Sequence, residues 1–158
     1  MDKISLITQD VMGDFAETVE CYKFRANRLW IVSPWLACDA GGHGPVEKIV
    51  ASLGNAPKSK CSVILITRPP KEEWHSKAIR LFKNKINAGV YYCDHLHAKI
   101  YLLECDGFRC AVLSSANLTA RSGNTNLEIG IQFRTTVQES NRDDVAALIS
   151  KLSDYVYS

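Results

Sequence analysis

Apolar residues recur along this chain at two periods, and the way the periods alternate predicts an α/β domain. Val11, Phe15, Val19 and Tyr22 fall on one helical face and predict a first helix from Ser5 to Asn27. Within Arg28 to Leu36, the run Leu29-Trp30-Ile31-Val32 reads as a buried strand that closes at Ser33-Pro34. Gly41-Gly42-His43-Gly44 is a loop, after which Pro45 opens a helix carrying Val46, Ile49, Val50 and Leu53 up to Gly54. Cys61 to Thr67 is the next strand, broken by Arg68-Pro69-Pro70; Trp74, Ala78, Leu81, Phe82 and Ile86 then mark a helix that stops near Gly89. Val90 to Tyr92 begins a third strand, interrupted near Asp94 before a long strand that carries His97. Asp106-Gly107 signals a hairpin returning along Phe108 to Ser114. Leu127 to Phe133 is a further strand, and a last helix runs from Arg142 to Val156 with Val145, Leu148, Ile149 and Leu152 facing inward. The expected architecture is one domain over residues 1–158, a mixed β-sheet flanked by helices.

Composition narrows the class. A length of 158 residues suits one domain with a sizeable core, and 46% hydrophobic with 23% charged residues is ordinary for a soluble globular protein. The net charge is +2, so any anion-binding surface must be local. No apolar stretch reaches a membrane span and Met1-Asp2-Lys3-Ile4-Ser5 lacks signal-peptide character, so the chain is expected in the cytoplasm, off the membrane. Six cysteines, at 21, 38, 61, 93, 105 and 110, form no Cys-x-x-Cys pair and are expected to be reduced core residues. Cys93-Asp94-His95-Leu96-His97 invites a zinc ion, yet no second ligand cluster accompanies it. His95 shares strand parity with His97, so it either flanks the same site or sits at the strand entrance.

The chemistry is concentrated between His97 and Gly130. Alternate residues of a strand share a face, so His97 and Lys99 project together, an imidazole able to attack or to donate a proton beside a fixed positive charge. Ser115 and Asn117 repeat that spacing and supply neutral hydrogen-bond donors. Glu128 is an acceptor able to orient the second ring nitrogen of His97. Taken singly, each has an ordinary reading: His-x-Lys suits any amphipathic strand, Ser-x-Asn-x-Thr a turn or helix N-cap, and Glu128 a solvated strand position. Packing alone does not request all of them in this order between apolar strand segments.

The series resembles the phospholipase D superfamily, whose signature is His-x-Lys-x4-Asp, then Gly-Ser-x-Asn-x-Thr and a later Glu. The matching positions are His97, Lys99, Glu104, Ser114, Ser115, Asn117, Thr119 and Glu128, with Glu104 standing for the usual Asp and Ser114 for the usual Gly. The resemblance spans about His97 to Phe133 and implies a phospholipase D-like fold. It implies catalytic roles for His97, Lys99, Asn117 and Glu128, phosphate binding by Lys99, Ser115 and Asn117, and structural roles for Glu104, Ser114 and Thr119. It implies no cofactor and no metal. Superfamily enzymes use two histidines, a nucleophile on phosphorus and an acid for the leaving group, each usually from its own motif copy. One imidazole cannot both attack phosphorus and protonate the oxygen departing on the opposite side. This chain has one copy of the series, so the resemblance implies a homodimer with two His97 residues facing across a two-fold axis.

The expected activity is metal-independent phosphodiester hydrolysis through a phosphohistidine, with nucleic acid as substrate, DNA before RNA. Arg68, Lys71, Lys77, Arg80 and Arg121 are candidate backbone contacts, although each is also an ordinary solvated residue. A lipid or small-molecule phosphodiesterase is the alternative, disfavoured by the lack of an amphipathic docking segment. The third reading is a degenerate nucleic-acid-binding subunit, against which stands the retention of every proposed catalytic group. No reader module is recognisable, so sequence specificity, if any, is expected from a protein partner.

Overall fold

The computed structural model describes residues 3–56, 61–119, 127–136 and 151. Within them the order is β1 (Lys3–Ile7), α1 (Val11–Tyr22), β2 (Ala26–Val32), α2 (Pro45–Gly54), β3 (Ser62–Thr67), α3 (Glu73–Ile86), β4 (Gly89–Tyr92), β5 (Ile100–Cys105), β6 (Phe108–Ser114) and β7 (Gly130–Thr136). The strands form one mixed sheet in the order β1-β7-β6-β5-β2-β3-β4. β2, β3 and β4 run parallel, joined through α2 and α3 as βαβ units. β5 lies antiparallel to both β2 and β6, β6 to β7, and β7 to β1.

Period-two alternation divides the strand residues between two faces. Leu29, Ile31, Leu65, Tyr101, Leu103, Cys110 and Val112 pack with Phe15 and Val19 of α1, Ile49 and Leu53 of α2, and Ala78 and Phe82 of α3. Trp30, Val32, Ile100, Leu102, Ala111 and Phe133 form a second buried cluster on the opposite face. The β5–β6 turn is the expected hairpin, with Gly107 at φ 77°, a value that favours glycine.

Several expectations are corrected. Residues Lys3–Ile7 form an edge strand paired to β7, not the start of a helix. Ile4 and Leu6 alternate, and the helix starts only after Asp10, whose side chain accepts from Gly13 N at 3.3 Å. The same helix ends at Tyr22, and Ala26 already pairs with Cys105. The long strand begins at Ile100, so His97 and Lys99 lie in its extended lead. Its neighbour β2 stops at Val32 opposite Ile100, and Ser33-Pro34 then turns away, leaving the lead without a ladder on that side. Finally, Cys21 and Cys93 are exposed rather than core; all six cysteines are free thiols, and burial pushes Cys105 and Cys110 up to about 12. The predicted strand from Leu127 starts at Gly130. The last predicted helix lies outside the described residues apart from Lys151, and Arg121 lies outside them altogether.

Gly130 shows how closely α1 is seated against β7. A Cβ there would stand 2.6 Å from Cγ1 of Val11, the buried first residue of α1. Gly130→Ala should therefore cost about 1–3 kcal/mol through overpacking, read as a lower urea midpoint at unchanged slope; wild-type stability would mean that α1 is loosely seated.

Candidate active site

Because β5 and β7 run opposite to their neighbours, the leads into β5 and β7 and the exits from β2, β3 and β6 meet at one end of the sheet. Backbone pairing continues past the strands there: Ser114 N donates to Lys99 O at 3.1 Å, and Ser115 N to Ile129 O at 2.9 Å. Every residue of the proposed catalytic set is carried on these segments.

His97 is exposed and Lys99 half-buried. Leu96, Ala98, Ile100 and Leu102 belong to the second cluster, so His97 and Lys99 keep the parity of Tyr101 and share one face, as the two-residue spacing requires. Lys99 Nζ donates to the carbonyl of His97 at 3.0 Å. Beyond β3, Arg68 Nη2 lies 3.1 Å from Nε2 and 3.4 Å from Nδ1 of the His97 ring. Among the described residues neither Lys99 nor Arg68 has an acidic partner within ion-pair distance. Two cations without an acidic partner among the described residues, beside an exposed imidazole, concentrate positive charge at this end of a chain of almost balanced charge.

A buried hydrogen-bonded knot holds the opposite wall. Tyr101 OH donates to Ala116 O at 2.8 Å and lies 3.3 Å from Ser33 Oγ, which donates to Trp35 O at 2.8 Å and accepts from Leu118 N at 3.0 Å. Burial, and behind it the negative charge of Glu128, raise the Tyr101 phenol, while its bond to Ser33 acts the other way; the hydroxyl is a donor at any ordinary pH. Ser114 Oγ accepts from Ala116 N at 2.8 Å and donates to Ile129 O at 3.3 Å. Ser115 is exposed; its Oγ donates to Glu128 Oε2 in a short bond and accepts from Ile129 N at 3.0 Å. Asn117 is half-buried, and among the described residues its enclosed Oδ1 has no hydrogen-bond partner.

The expected residues thus gather, with two rearrangements of partner. The carboxylate of Glu128 is taken by Ser115, and the ring nitrogens of His97 are met by Arg68. Glu104 belongs elsewhere: at about 3.3 Å per residue it stands roughly 16 Å along β5 from Lys99, facing Arg28 at 3.9 Å across the ladder. Of the other candidate cations, Arg80 pairs with Glu73, Lys77 and Arg80 line a cleft of about 530 Å³ beside the Cys38–Gly42 loop, and Lys71 is exposed. Thr119 lines a separate cleft of about 310 Å³ with Asp10 and Lys48. A second histidine near the site, His75, is fully buried; Thr67 Oγ1 gives its hydrogen to Pro34 O at 3.2 Å and so accepts from His75 Nε2 at 3.0 Å. Burial lowers the His75 pKa, which keeps the ring neutral, and its inaccessibility removes it from the chemistry. No three His, Cys, Asp or Glu side chains cluster as a metal site among the described residues.

Sequence reading missed Ser33, Trp35 and Tyr101 as supports. The alternation that buries Tyr101 was visible, but its hydroxyl partners come from segments remote in sequence.

Comparison with known proteins agrees with this architecture. The family model described as "Cardiolipin synthase, PLD-like domain" matches residues 25–149. No curated protein matches the chain. Among solved structures, NucT from Helicobacter pylori superposes with a TM-score of 0.63 at 14% identity, over 98% of this chain and 93% of that one. Nuc from Salmonella typhimurium, a phospholipase D family member, gives 0.64 at 11% identity over the same shares. TrmBL2, an archaeal chromatin protein with a described mode of DNA binding, gives 0.50 at 12% identity, over 98% of this chain and 52% of its own.

Removing the Tyr101 hydroxyl tests the knot. Tyr101→Phe leaves Ala116 O without its donor and should cost about 1–3 kcal/mol of stability in urea denaturation. Backbone amides at 114–118 should exchange faster than those of α2; uniform protection would show that the hydroxyl does not hold this wall.

Proposed function

Because this chain belongs to the phospholipase D superfamily, in its PLD-like domain family, we propose that it is a metal-independent nuclease whose active site is shared by two copies of the chain. The observation that carries this reading is the exposed His97 imidazole beside Lys99, a cation with no acidic partner among the described residues, at the strand end that also bears Ser115 and Asn117.

In the first step His97 Nε2 attacks phosphorus; the P–N bond forms, the P–O bond to the leaving group breaks, and His97 of a second copy gives its proton to the departing oxygen. In the second step the now neutral imidazole takes a proton from water, the oxygen attacks phosphorus and the P–N bond breaks. Lys99 and Asn117, with Ser115, stabilise the non-bridging oxygens; preorganised donors of this kind are each worth about 2.7–4 kcal/mol in the barrier. Glu128 acts by fixing Ser115. With fixed cations and imidazoles supplying the charge, the cycle needs no metal ion.

Exposed apolar side chains support the shared site. Leu127, 86% exposed, and Ile129, 47% exposed, flank Glu128, and Leu6 and Ile131 continue the patch over β1 and β7. A second copy set on a two-fold axis beside Glu128 would cover it. Nucleic acid is favoured as substrate because an open, cationic strand end suits a phosphate backbone, and because a chromatin protein with a described DNA-binding mode shares the fold. The family's description names a phospholipid synthase, so a lipid phosphodiester is the second reading.

Labelled single- and double-stranded DNA and RNA, with a choline lipid alongside, should be tested in excess EDTA. Nucleic-acid cleavage should survive chelation; complete loss restored by Mg²⁺ or Zn²⁺ would refute the phosphohistidine route, and cleavage of the lipid alone would favour the second reading. His97→Ala should abolish turnover at nearly unchanged melting temperature, and Lys99→Ala or Asn117→Ala should lower it about 10²–10³-fold. Light scattering should report a dimer; a strictly monomeric, fully active protein would contradict the shared site.

A further inference from the structure

We infer that Arg68 is a second fixed cation of the phosphate site, donating to a non-bridging oxygen of the bound phosphodiester beside the His97 ring. This assignment rests on the phosphodiesterase reading for its substrate; its geometry stands without it.

The backbone at Arg68 is constrained from both sides. Thr67 O accepts from Cys93 N at 2.9 Å, and the following Pro69 confines Arg68 to extended conformations. The side chain is constrained as well. Its Nε donates to Leu96 O at 2.8 Å, and its guanidinium carbon lies 5.3 Å from the ring centroid of Trp35. Trp35 is itself held, through its carbonyl by Ser33 Oγ at 2.8 Å and through its ring by the edge of buried His75, 5.5 Å between centroids. Both anchors of Arg68 are neutral, a carbonyl and an indole. They fix the group without cancelling its charge, and among the described residues no carboxylate does so either.

A cation fixed by neutral partners and left without a counter-ion is stabilised by an incoming anion. Its Nη2 lies 3.1 Å from Nε2 and 3.4 Å from Nδ1 of His97; nearness to both ring nitrogens at once sets the guanidinium over the face of the imidazole and leaves the in-plane nitrogen lone pair clear for attack. An ionised phosphate oxygen is a stronger acceptor than a neutral imidazole. An arriving phosphodiester therefore takes the Nη2 N–H and neutralises part of its charge against the guanidinium, beside the ring that attacks it. The planar fork suits two oxygens of one phosphate, which a lysine at the same place would not. The family signature contains no arginine at this step; the position comes from the Thr67-Arg68-Pro69-Pro70 exit of β3.

The test has an arm that needs no catalysis. Inorganic phosphate is titrated into the isotope-labelled full-length chain while the His97 ring signals are followed, for the native protein, Arg68→Met and Arg68→Lys. Arg68→Met should weaken phosphate binding about tenfold or more, with Arg68→Lys in between. Unchanged affinity in Arg68→Met would overturn the assignment. The second arm uses a dinucleotide whose one linkage is a native phosphodiester or a stereopure methylphosphonate. The rate lost by Arg68→Met on the native linkage should vanish on the isomer lacking the contacted oxygen and persist on the other; equal loss on all three would mean a structural role and refute direct contact. If the native chain cleaves no linkage while phosphate binding still falls in Arg68→Met, the cation assignment stands and the nuclease reading fails.

Discussion

Antiparallel pairing of β5 with β2 on one side and β6 on the other is the constraint from which the site follows. Its register sets Ile100 opposite both Val32 and Leu113, so the residues before Ile100 run out beside the residues that leave β2 and β6. The parallel neighbour β3 ends at the same edge and delivers Arg68 there, and the lead into β7 delivers Glu128. Shifting β5 by one residue would turn Tyr101 and Leu103 away from the helices and swing His97 and Lys99 to the opposite face. The burial that stabilises the sheet therefore also aims the chemistry. The knot of Tyr101, Ser33, Ala116 and Leu118 carries this order beyond the last ladder bonds.

The same edge is where the chain departs from what stability alone favours. Among the described residues Asn117 Oδ1 is enclosed without a donor and two cations stand without counter-ions, and Leu127 is turned to solvent. An unsatisfied buried acceptor costs on the order of 1–3 kcal/mol, and exposed apolar surface forgoes burial. Away from this edge, Lys48 pairs with Glu17 and Glu20, and Glu104 faces Arg28. Gathered at one end of a well-packed sheet, the departures accord with the ligand and partner surface proposed there.

Much of this was legible in the chain. The β6 strand, the Asp106-Gly107 hairpin and the helices opened by Pro45 and by the segment after Pro70 follow from local periodicity and turn chemistry. The order His97, Lys99, Ser115, Asn117 and Glu128 pointed to the strand end where these residues gather, because strand parity survives into the lead of β5. What stayed hidden depends on distant residues. β1 is recognisable only through its pairing with β7, since Ile4 and Leu6 alone do not distinguish a strand from the start of the helix behind them. The late start of β5 is set by the point where β2 turns away at Ser33-Pro34. The meeting of Arg68 with His97, and of Ser115 with Glu128, requires the strand order of the sheet, which no local pattern encodes.

The central claim is that the exposed imidazole at this strand end becomes covalently bound to phosphorus. Mixing the chain with a phosphodiester substrate, quenching rapidly in alkali and mapping peptides by mass spectrometry reads this directly. A phosphoryl adduct on His97, formed and lost on the timescale of turnover and absent from His97→Ala, is the predicted result; turnover with no adduct at any time, or an adduct on another residue such as His95, would contradict it.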